Sequence, residues 1–229
     1  FHTAALARVQ PSILEPVKFD KVNVNGTVNL LKACVEAGVK RVVYSASSSC
    51  YGNCETFPTP ESHPTNPLSP YGLQKYVGEL YCKMFSQVYD IDTVCLRYFN
   101  VYGERMNFEG AYKLVIAVFA EQHRKGIPLT ITNDGKQRRD FTYVKDVVEA
   151  NILAALHSSD LKGESFNIGN GDNFSVNEVA EMFGGEKHYF KFVLEPFQTL
   201  ADNSKAKKVL GWEPKGNLKE WLTNYIKTL

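Results

Sequence analysis

Apolar side chains recur at helical spacing near the start of the chain and then give way to a continuous apolar run. Between residues 20 and 38 they fall three or four positions apart, and Gly38 stands where a helix C-terminus is expected. The run RVVYSAS at 41–47 follows, which is typical of a buried strand. The apolar positions of the helix are Val24, Val28, Leu31 and Val35. This stretch therefore predicts a helix followed by a strand.

The same succession is repeated further along the chain. Residues 70–89 carry apolar side chains at helical spacing, and the nearly all-apolar segment IDTVCLRYFN follows at 91–100. Strands separated by amphipathic helices of this length form βαβ units. We therefore expect an α/β protein built on a parallel sheet.

After Asn100 the predicted elements become shorter, which indicates a second, smaller α/β lobe. A helix is expected to start with the capping box Ser175–Glu178, because each end residue can satisfy an unpaired amide there. The other predicted elements are helices near 112–125, 145–157, 204–210 and 217–227, and strands near 129–132, 141–144 and 165–170.

The composition of the chain argues against several classes of function. The chain has 229 residues, 44% hydrophobic and 22% charged, with a net charge of +1, so a nucleic-acid partner is not expected. No apolar run approaches the roughly 20 residues needed to cross a bilayer. The five cysteines form no CxxC pair and lie at no metal-ligand spacing, which predicts no metal site and a cytoplasmic protein.

Two short patterns carry candidate chemistry. Tyr71 and Lys75 lie four apart in a predicted helix, so both project from one face, where an ammonium can stabilise a phenolate. Ser47 belongs to the run Ser45–Ser49, at the carboxyl end of a predicted strand, where open parallel sheets bind ligands. Ser47 is thus a candidate hydrogen-bond donor to a substrate oxygen. Taken alone, the patterns equally fit a surface Tyr–Lys pair and a serine turn that caps its own amides.

The order of several segments resembles the extended short-chain dehydrogenase/reductases, and among them the nucleotide-sugar epimerases. The segments are FHTAA (1–5), NVNGTVNLL (23–31), SASSSCYG (45–52), SPYGLQKYVGELY (69–81), LRYFNVYG (96–103), NDGKQRRDFTYVKDV (133–147) and LADNSKAKKVLGWEP (200–214). The resemblance implies a Rossmann-like doubly wound parallel sheet that binds NAD, and a smaller C-terminal α/β lobe that binds the sugar nucleotide. The implied NAD-binding portion is 1–104 with parts of 134–170, and the substrate lobe is 105–133 with 171–229.

The resemblance also implies the catalytic roles. Tyr71 matches the catalytic base, and Lys75 matches the residue that lowers its pKa and hydrogen-bonds the nicotinamide ribose. Ser47 matches the residue that shares the substrate hydroxyl. The other implied cofactor contacts are Ala4, Ala5, Asn23, Ser45 and Tyr98, and the other implied substrate contacts are Ser48, Asn100, Arg139 and Thr199.

The implied substrate contacts are open to other interpretations. Arg138 and Arg139 could be a solvated charge pair, whereas a guanidinium at 139 would suit phosphate oxygens. Thr199 matches the residue that lines the pocket around C2 of the sugar, and its small size would admit an N-acetyl group. It could equally be a β-branched residue that only suits a strand.

Two departures from the family pattern stand out. The family's opening strand and GxxGxxG turn, which seats the NAD pyrophosphate, do not occur in this sequence. We therefore expect the N-terminal strands of the sheet to be missing from the chain, which alone would bind NAD poorly. A phosphate-binding arginine expected near Phe192 is also absent, and Lys191 is the candidate substitute.

The implied reaction begins when the sugar's 4-hydroxyl gives its proton to the tyrosine and a hydride to NAD. Related 4,6-dehydratases carry an acid pair directly after the catalytic Ser or Thr, whereas here Ser48 and Ser49 stand there. We therefore expect a 4-epimerase of a UDP-hexose or UDP-N-acetylhexosamine. Another dehydratase or reductase, or a non-catalytic nucleotide-sugar-binding protein, are the alternatives. Helices 20–38 and 70–89 resemble the family's dimer-forming pair, which predicts a homodimer.

Overall fold

A computed structural model describes residues 1–108, 113–190 and 195–229. The strands are β1 (Arg41–Ser47), β2 (Asp92–Tyr98), β3 (Asn100–Tyr102), β4 (Leu129–Thr132), β5 (Arg138–Tyr143), β6 (Glu164–Ile168), β7 (Asn173–Ser175) and β8 (Lys187–Phe190). The α-helices are α1 (Val9–Leu14), α2 (Pro16–Asp20), α3 (Gly26–Glu36), α4 (Pro70–Val88), α5 (Val115–Arg124), α6 (Val144–Leu156), α7 (Val176–Phe183), α8 (Ser204–Leu210) and α9 (Leu218–Ile226). A π-helix, Lys21–Asn25, joins α2 to α3.

The main sheet has the strand order β1–β2–β6, and all three strands are parallel. Val43 lies opposite Val94, and Tyr44 lies opposite Cys95. On the other side of β1, His2 forms a parallel bridge to Tyr44. Ser47 ends β1 at the carboxyl edge of this sheet, the edge at which open parallel sheets bind ligands.

Both faces of the main sheet are covered by helices, which confirms the predicted α/β, doubly wound architecture. Helices α3 and α4 pack on one face around Leu31, Tyr44 and Phe85. Helices α6 and α8 pack on the other face, where Trp212 is fully buried. The domain boundary predicted from the sequence placed residues 171–229 in the smaller lobe. In the structure α8, which lies in this range, packs against β6 of the main sheet and against α6.

A second apolar core lies among α5, α7, α9 and the short strands. β5 pairs in parallel with β3 and antiparallel with β7, and β4 pairs in parallel with β8. Phe119, Phe141 and Leu222 are buried in this core. The Ser175–Glu178 capping box forms as predicted, with Ser175 Oγ accepting from the Glu178 amide and the Glu178 carboxylate accepting from the Ser175 amide.

The helix expected over 20–38 is interrupted, and the reason lies in one side chain. The π-helix turns Asn23 inward, where its amide is almost fully buried and hydrogen-bonded to the chain before α1. The other differences concern short elements: α1, β3, β7 and β8 have six residues or fewer and were not predicted. The helix expected near 112–125 is observed as α5, and residue 112 lies outside the described residues.

Within the described ranges, no helix is both long and apolar enough to cross a membrane. In the same ranges, no three His, Cys, Asp or Glu side chains are grouped so that they could hold a metal ion. All five cysteines are free thiols.

Candidate active site

Two glycines bring the start of α4 against the end of β1. A Cβ on Gly72 would lie 2.7 Å from the Ser49 carbonyl oxygen, and a Cβ on Gly78 would collide with the Tyr44 ring. Ser69 caps the helix, because its hydroxyl accepts from the Gly72 amide at 3.1 Å. Tyr71, in the first turn of α4, is thereby placed beside the serines that follow β1.

The hydroxyls of this corner form a short chain of hydrogen bonds. Ser49 Oγ donates to Ser47 Oγ at 2.8 Å, and the Ser47 side chain interacts with the Tyr71 hydroxyl, whose pKa it lowers. The Ser49 amide also donates to Ser47 Oγ, at 3.2 Å. Ser47 and Tyr71 are therefore brought together as the sequence predicts. The orienting contact comes from Ser49, whereas Ser48 begins the one-turn 3-10 helix 48–50.

Lys75 lies one turn after Tyr71 but points into the sheet. Its ammonium donates to the Ser45 carbonyl oxygen at 2.7 Å and lies 5.1 Å from the centroid of the Tyr44 ring. Burial lowers the pKa of Lys75 to about 8, opposed by the nearby Cys82 and Glu79. With this pKa the group is still mainly an ammonium at neutral pH.

The pKa of Tyr71 differs from the sequence-based expectation. Tyr71 is partly buried, and burial of its hydroxyl raises its pKa. The hydrogen bond from Ser47 and the charge of Arg8 oppose the rise. The Lys75 ammonium is bound to the Ser45 carbonyl and is not among the causes of this pKa shift.

Asn23 fastens the segment that contains Ala4 and Ala5. Its Oδ1 accepts from the Leu6 amide and its Nδ2 donates to the Leu6 carbonyl, both at 2.8 Å. Nδ2 also donates to Gln74 Oε1 on α4 at 3.1 Å. Both polar atoms of Asn23 are thus used within the protein, so Asn23 fixes the segment that carries Ala4 and Ala5.

Ser45 and Tyr98 meet on neighbouring strands. Ser45 Oγ and Tyr98 Oη lie 3.2 Å apart, and Asn151 of α6 holds the Tyr98 hydroxyl at 2.9 Å. These two predicted cofactor contacts, together with Lys75, therefore share one buried corner of β1, β2 and α4.

This corner fits the nicotinamide-ribose end of NAD. The Lys75 ammonium makes one hydrogen bond, to Ser45, among the described residues, so two of its three N–H donors are left for ribose hydroxyls. A buried ammonium at the edge of a sheet can donate hydrogen bonds to a ligand that carries several hydroxyl groups. Ser45, Lys75 and Tyr98 would hold this end of the cofactor, with Ala4 and Ala5 beside it.

Three predicted substrate contacts form a second cluster around β5. Asn100 Nδ2 donates to the Asp140 carbonyl at 3.1 Å, and the Asp140 amide donates to Thr199 Oγ1 at 3.1 Å. Arg139 lies between them in sequence on β5. Asn100, Arg139 and Thr199 are therefore neighbours, although the Thr199 hydroxyl is engaged by the strand.

A buried carboxylate holds this cluster together. Asp140 accepts from the backbone amides of Asn170, Gly171 and Ala201 at 2.7–3.0 Å. Burial raises the pKa of Asp140 to about 6, and these three hydrogen bonds oppose the rise. Asp140 thus ties β5 to the chain that carries Thr199.

Arg139 is not a solvated charge. Its Nη2 donates to Glu195 Oε2 at 2.5 Å, and only 11% of its side chain is exposed. Glu195 also accepts from Gln137 Nε2 at 3.2 Å. Arg138 is separately paired with Glu178 at 2.8 Å. Lys191, the expected phosphate contact, lies outside the described residues.

The two clusters are joined by a small apolar core. Ala201 packs with Cys50, Tyr51 and Phe99, all nearly fully buried. Because Cys50 and Tyr51 directly follow the serines of the first cluster, the chain that carries Thr199 packs next to the segment that follows Ser47.

Sequence reasoning missed three residues of these clusters: Ser12, Ser49 and Glu195. Ser12 Oγ accepts from the Tyr71 amide at 3.1 Å. The serine run already contained Ser49, and only its role was unassigned. No pattern marks Ser12 or Glu195, because each acts through a contact more than 50 residues distant in sequence.

Comparison with known proteins gives consistent results. The family described as NAD dependent epimerase/dehydratase matches residues 1–169. A putative UDP-glucose 4-epimerase of Methanocaldococcus jannaschii is 40% identical, over 98% of this chain and 74% of its own length. The structure of Thermotoga maritima UDP-glucose 4-epimerase with UDP-glucose matches with a TM-score of 0.93, 38% identity, 99% of this chain and 75% of that one. Methanobrevibacter ruminantium UDP-N-acetylglucosamine 4-epimerase, in complex with UDP-N-acetylmuramic acid, matches with a TM-score of 0.92, 34% identity, and 99% and 74% coverage.

Proposed function

Because this chain belongs to the NAD dependent epimerase/dehydratase family, we propose that it inverts C4 of the sugar of a UDP-sugar through a 4-keto sugar. The observation that carries the proposal is the contact between Ser47 and Tyr71 at the carboxyl edge of the sheet. A hydroxyl that bridges these two groups can be held by Ser47 while Tyr71 takes its proton. NAD is the cofactor, and when bound it supplies the acceptor and later the donor of the C4 hydride.

The other residues of this corner have separate roles in the proposed reaction. Ser49 donates to Ser47 Oγ through its hydroxyl and its amide, so that the Ser47 proton is left to be donated to a substrate oxygen. Lys75 holds its ammonium at the Ser45 carbonyl, next to the position expected for the nicotinamide ribose. After the 4-keto sugar has turned so that the opposite face of its ketone is reduced, Tyr71 returns its proton to the C4 oxygen, and C4 is inverted. An epimerase needs no further acid or base.

The serines at 48 and 49 favour epimerisation over dehydration. Elimination of water needs a group that can donate and accept a proton near neutral pH, and a serine hydroxyl cannot do so. Ser49 is moreover engaged with Ser47. The test is product analysis by NMR with the NAD-loaded protein and UDP-glucose or UDP-N-acetylglucosamine. We expect the C4 epimer with no net NADH, whereas a 4-keto-6-deoxy product or stoichiometric NADH would reject the proposal.

For the sugar, we infer that N-acetylated substrates are accepted beside the plain hexoses. The support is the small side chain at Thr199, on the segment that runs behind Ser47, and the similarity to an epimerase named for UDP-N-acetylglucosamine. A bulky ring at this position would compete with an acetamido group for space.

Thr199→Tyr tests this inference. We expect kcat/KM for UDP-N-acetylglucosamine to fall about tenfold or more, and kcat/KM for UDP-glucose to change less, because a steric clash affects only the larger sugar. Thr199→Val is the matched control, since it removes the hydroxyl bound by the Asp140 amide but keeps the size. Equal losses on both sugars in the tyrosine variant would show that Thr199 does not face C2.

The homodimer remains a prediction, and one surface supports it. Leu73 and Leu80 stand seven residues apart on α4 and are both about half-exposed. Val17 of the neighbouring α2 is exposed as well. This face of α2 and α4 is where a two-fold partner would bury apolar area.

A further inference from the structure

The first turn of α4 contains one amide that the helix's own capping residue does not bind. Pro70 stands at the first helical position and has no N–H, and Ser69 Oγ accepts from the Gly72 amide at 3.1 Å. The amide between these two positions belongs to Tyr71. It donates to Ser12 Oγ at 3.1 Å, and Ser12 lies 59 residues earlier in the chain, in α1. The main chain of Tyr71 is therefore held by another element of the fold.

The Ser12 hydroxyl is committed at both ends. Its proton is donated to the Val9 carbonyl oxygen at 2.6 Å, so its lone pairs remain for the Tyr71 amide. Ser12 is fully buried, so solvent does not compete for this hydroxyl. Removing the hydroxyl would leave the Tyr71 amide without its acceptor, and an unsatisfied donor of this kind is costly.

Other hydrogen bonds hold the body of α4 independently of Ser12. Gln74, three residues after Tyr71, donates through Nε2 to the Pro16 carbonyl oxygen at 3.3 Å. Gln74 Oε1 accepts from Asn23 Nδ2 at 3.1 Å. Because these contacts do not involve Ser12, loss of its hydroxyl should displace the first turn of α4 without unfolding the helix.

The alignment of Tyr71 with Ser47 depends on this first turn. Ser47 ends β1, and its side chain interacts with the Tyr71 hydroxyl. Gly72 packs closely on the chain after Ser47, since a Cβ there would lie 2.7 Å from the Ser49 carbonyl oxygen. So close an approach leaves little freedom of position. A misplacement of about 1 Å can lower a catalytic rate by about 10²-fold, so the contact that places Tyr71 matters for turnover.

We propose that Ser12 is a positioning residue of the candidate active site, whose hydroxyl holds the Tyr71 main chain and thereby aligns the Tyr71 hydroxyl with Ser47. This inference rests on the proposed function, in which Tyr71 takes the proton of the substrate hydroxyl. Ser12 takes no part in the proton transfer, because its own proton is donated to the Val9 carbonyl. It acts only through the geometry of Tyr71.

Ser175 separates this role from helix capping in general. Ser175 is also buried, and its Oγ accepts from the Glu178 amide at 3.1 Å at the start of α7, in the second apolar core. Ser175→Ala therefore removes a hydrogen bond of the same length that does not involve Tyr71. The melting temperature should fall by a similar few degrees in Ser12→Ala and in Ser175→Ala.

Ser12→Ala is the test of the proposal in turnover. With the NAD-loaded protein and UDP-glucose, we expect kcat to fall about tenfold while KM changes less than about twofold, because the base is misaligned and the nucleotide end is unaltered. Ser175→Ala should leave both quantities unchanged. Ser12→Cys keeps the size of the side chain but accepts hydrogen bonds weakly, so its kcat should lie between those of Ser12→Ala and the wild type.

NMR of the NAD-loaded protein gives a readout that needs no turnover. Tyrosine is labelled with nitrogen-15 at the amide and carbon-13 at Cζ, and Tyr71→Phe assigns the signals. In Ser12→Ala the Tyr71 amide should exchange its hydrogen about tenfold faster or more, because it has lost its acceptor. The Tyr71 Cζ resonance should shift as well, because the hydroxyl moves relative to Ser47. Neither should change in Ser175→Ala.

The proposal is overturned if kcat, the Tyr71 amide exchange or the Tyr71 Cζ resonance is unchanged in Ser12→Ala. An equal loss of kcat in the two alanine variants would also overturn it, because the effect would then be one of stability. If the wild-type protein formed no C4 epimer, the proposed function would fail. The NMR measurements would still decide whether Ser12 positions Tyr71.

Discussion

The two ends of the candidate site are organised by different forces. At the proposed catalytic end, Ser47, Ser49 and Tyr71 interact through neutral hydroxyls. At the nucleotide end, charges are already paired, with Arg139 bound to Glu195. A substrate hydroxyl can join the first cluster directly, whereas a diphosphate must compete with a carboxylate at the second.

This difference follows from how far apart in sequence the parts are. The catalytic end is built from β1 and α4, consecutive elements brought together by the close approach at Gly72 and Gly78. The nucleotide end joins β3, β5 and the chain after β8, up to about a hundred residues apart along the sequence. We therefore expect variants at the catalytic end to act on kcat and those at the nucleotide end to act on KM.

The largest effect is expected at Tyr71. Tyr71→Phe keeps the ring but removes the group that takes the proton, so kcat should fall about 10² or more with UDP-sugar binding largely intact. Steady-state kinetics and calorimetric titration with UDP-glucose measure the two quantities. Tyr81→Phe, on the same helix, is the control and should leave kcat unchanged. An unaltered kcat in the first variant would rule out Tyr71 as the base.

Arg139→Ala should act on binding. A hydrogen bond to a charged group contributes about 1.5–3 kcal/mol, so KM for the UDP-sugar should rise about tenfold or more, with little change in kcat. Lys136→Ala removes an exposed cation from the neighbouring loop and serves as the control. A fall in kcat with KM unchanged would argue against a diphosphate contact at Arg139.

The smallest effect is expected at Glu195, and its sign is the informative part. Glu195→Gln removes the charge that competes with a diphosphate for Arg139, so KM should fall. A partly exposed ion pair is worth about 0.2–1 kcal/mol, which corresponds to a decrease of about 1.4- to fivefold. Glu178→Gln neutralises the partner of the adjacent Arg138 and should leave KM unchanged. A rise in KM for Glu195→Gln would show that the carboxylate supports binding.

The same contrast explains what could be predicted from the sequence. Hydrophobic spacing was sufficient for β1, α4 and β2, and the YxxxK pattern with the serine run located Ser47 and Tyr71, because these lie within one βα unit. The Arg139–Glu195 pair was not predictable, since it joins residues 56 positions apart that share no motif. The backbone conformation of Arg8, with a φ of 96°, was equally hidden, because a positive φ in a non-glycine residue is imposed by tertiary contacts.

The π-helix at Lys21–Asn25 limits which lengths this part of the chain can have. An α-helix turns about 100° per residue, and the wider π turn accommodates one additional residue. This extra residue lets Asn23 reach Leu6 while Thr27 reaches His2, with Nε2 and Oγ1 2.9 Å apart. Deleting one residue here would rotate the chain before the deletion against the chain after it by about 100°, and only one of the two contacts would survive. Length variation in this segment is therefore as restricted as the identity of its buried side chains.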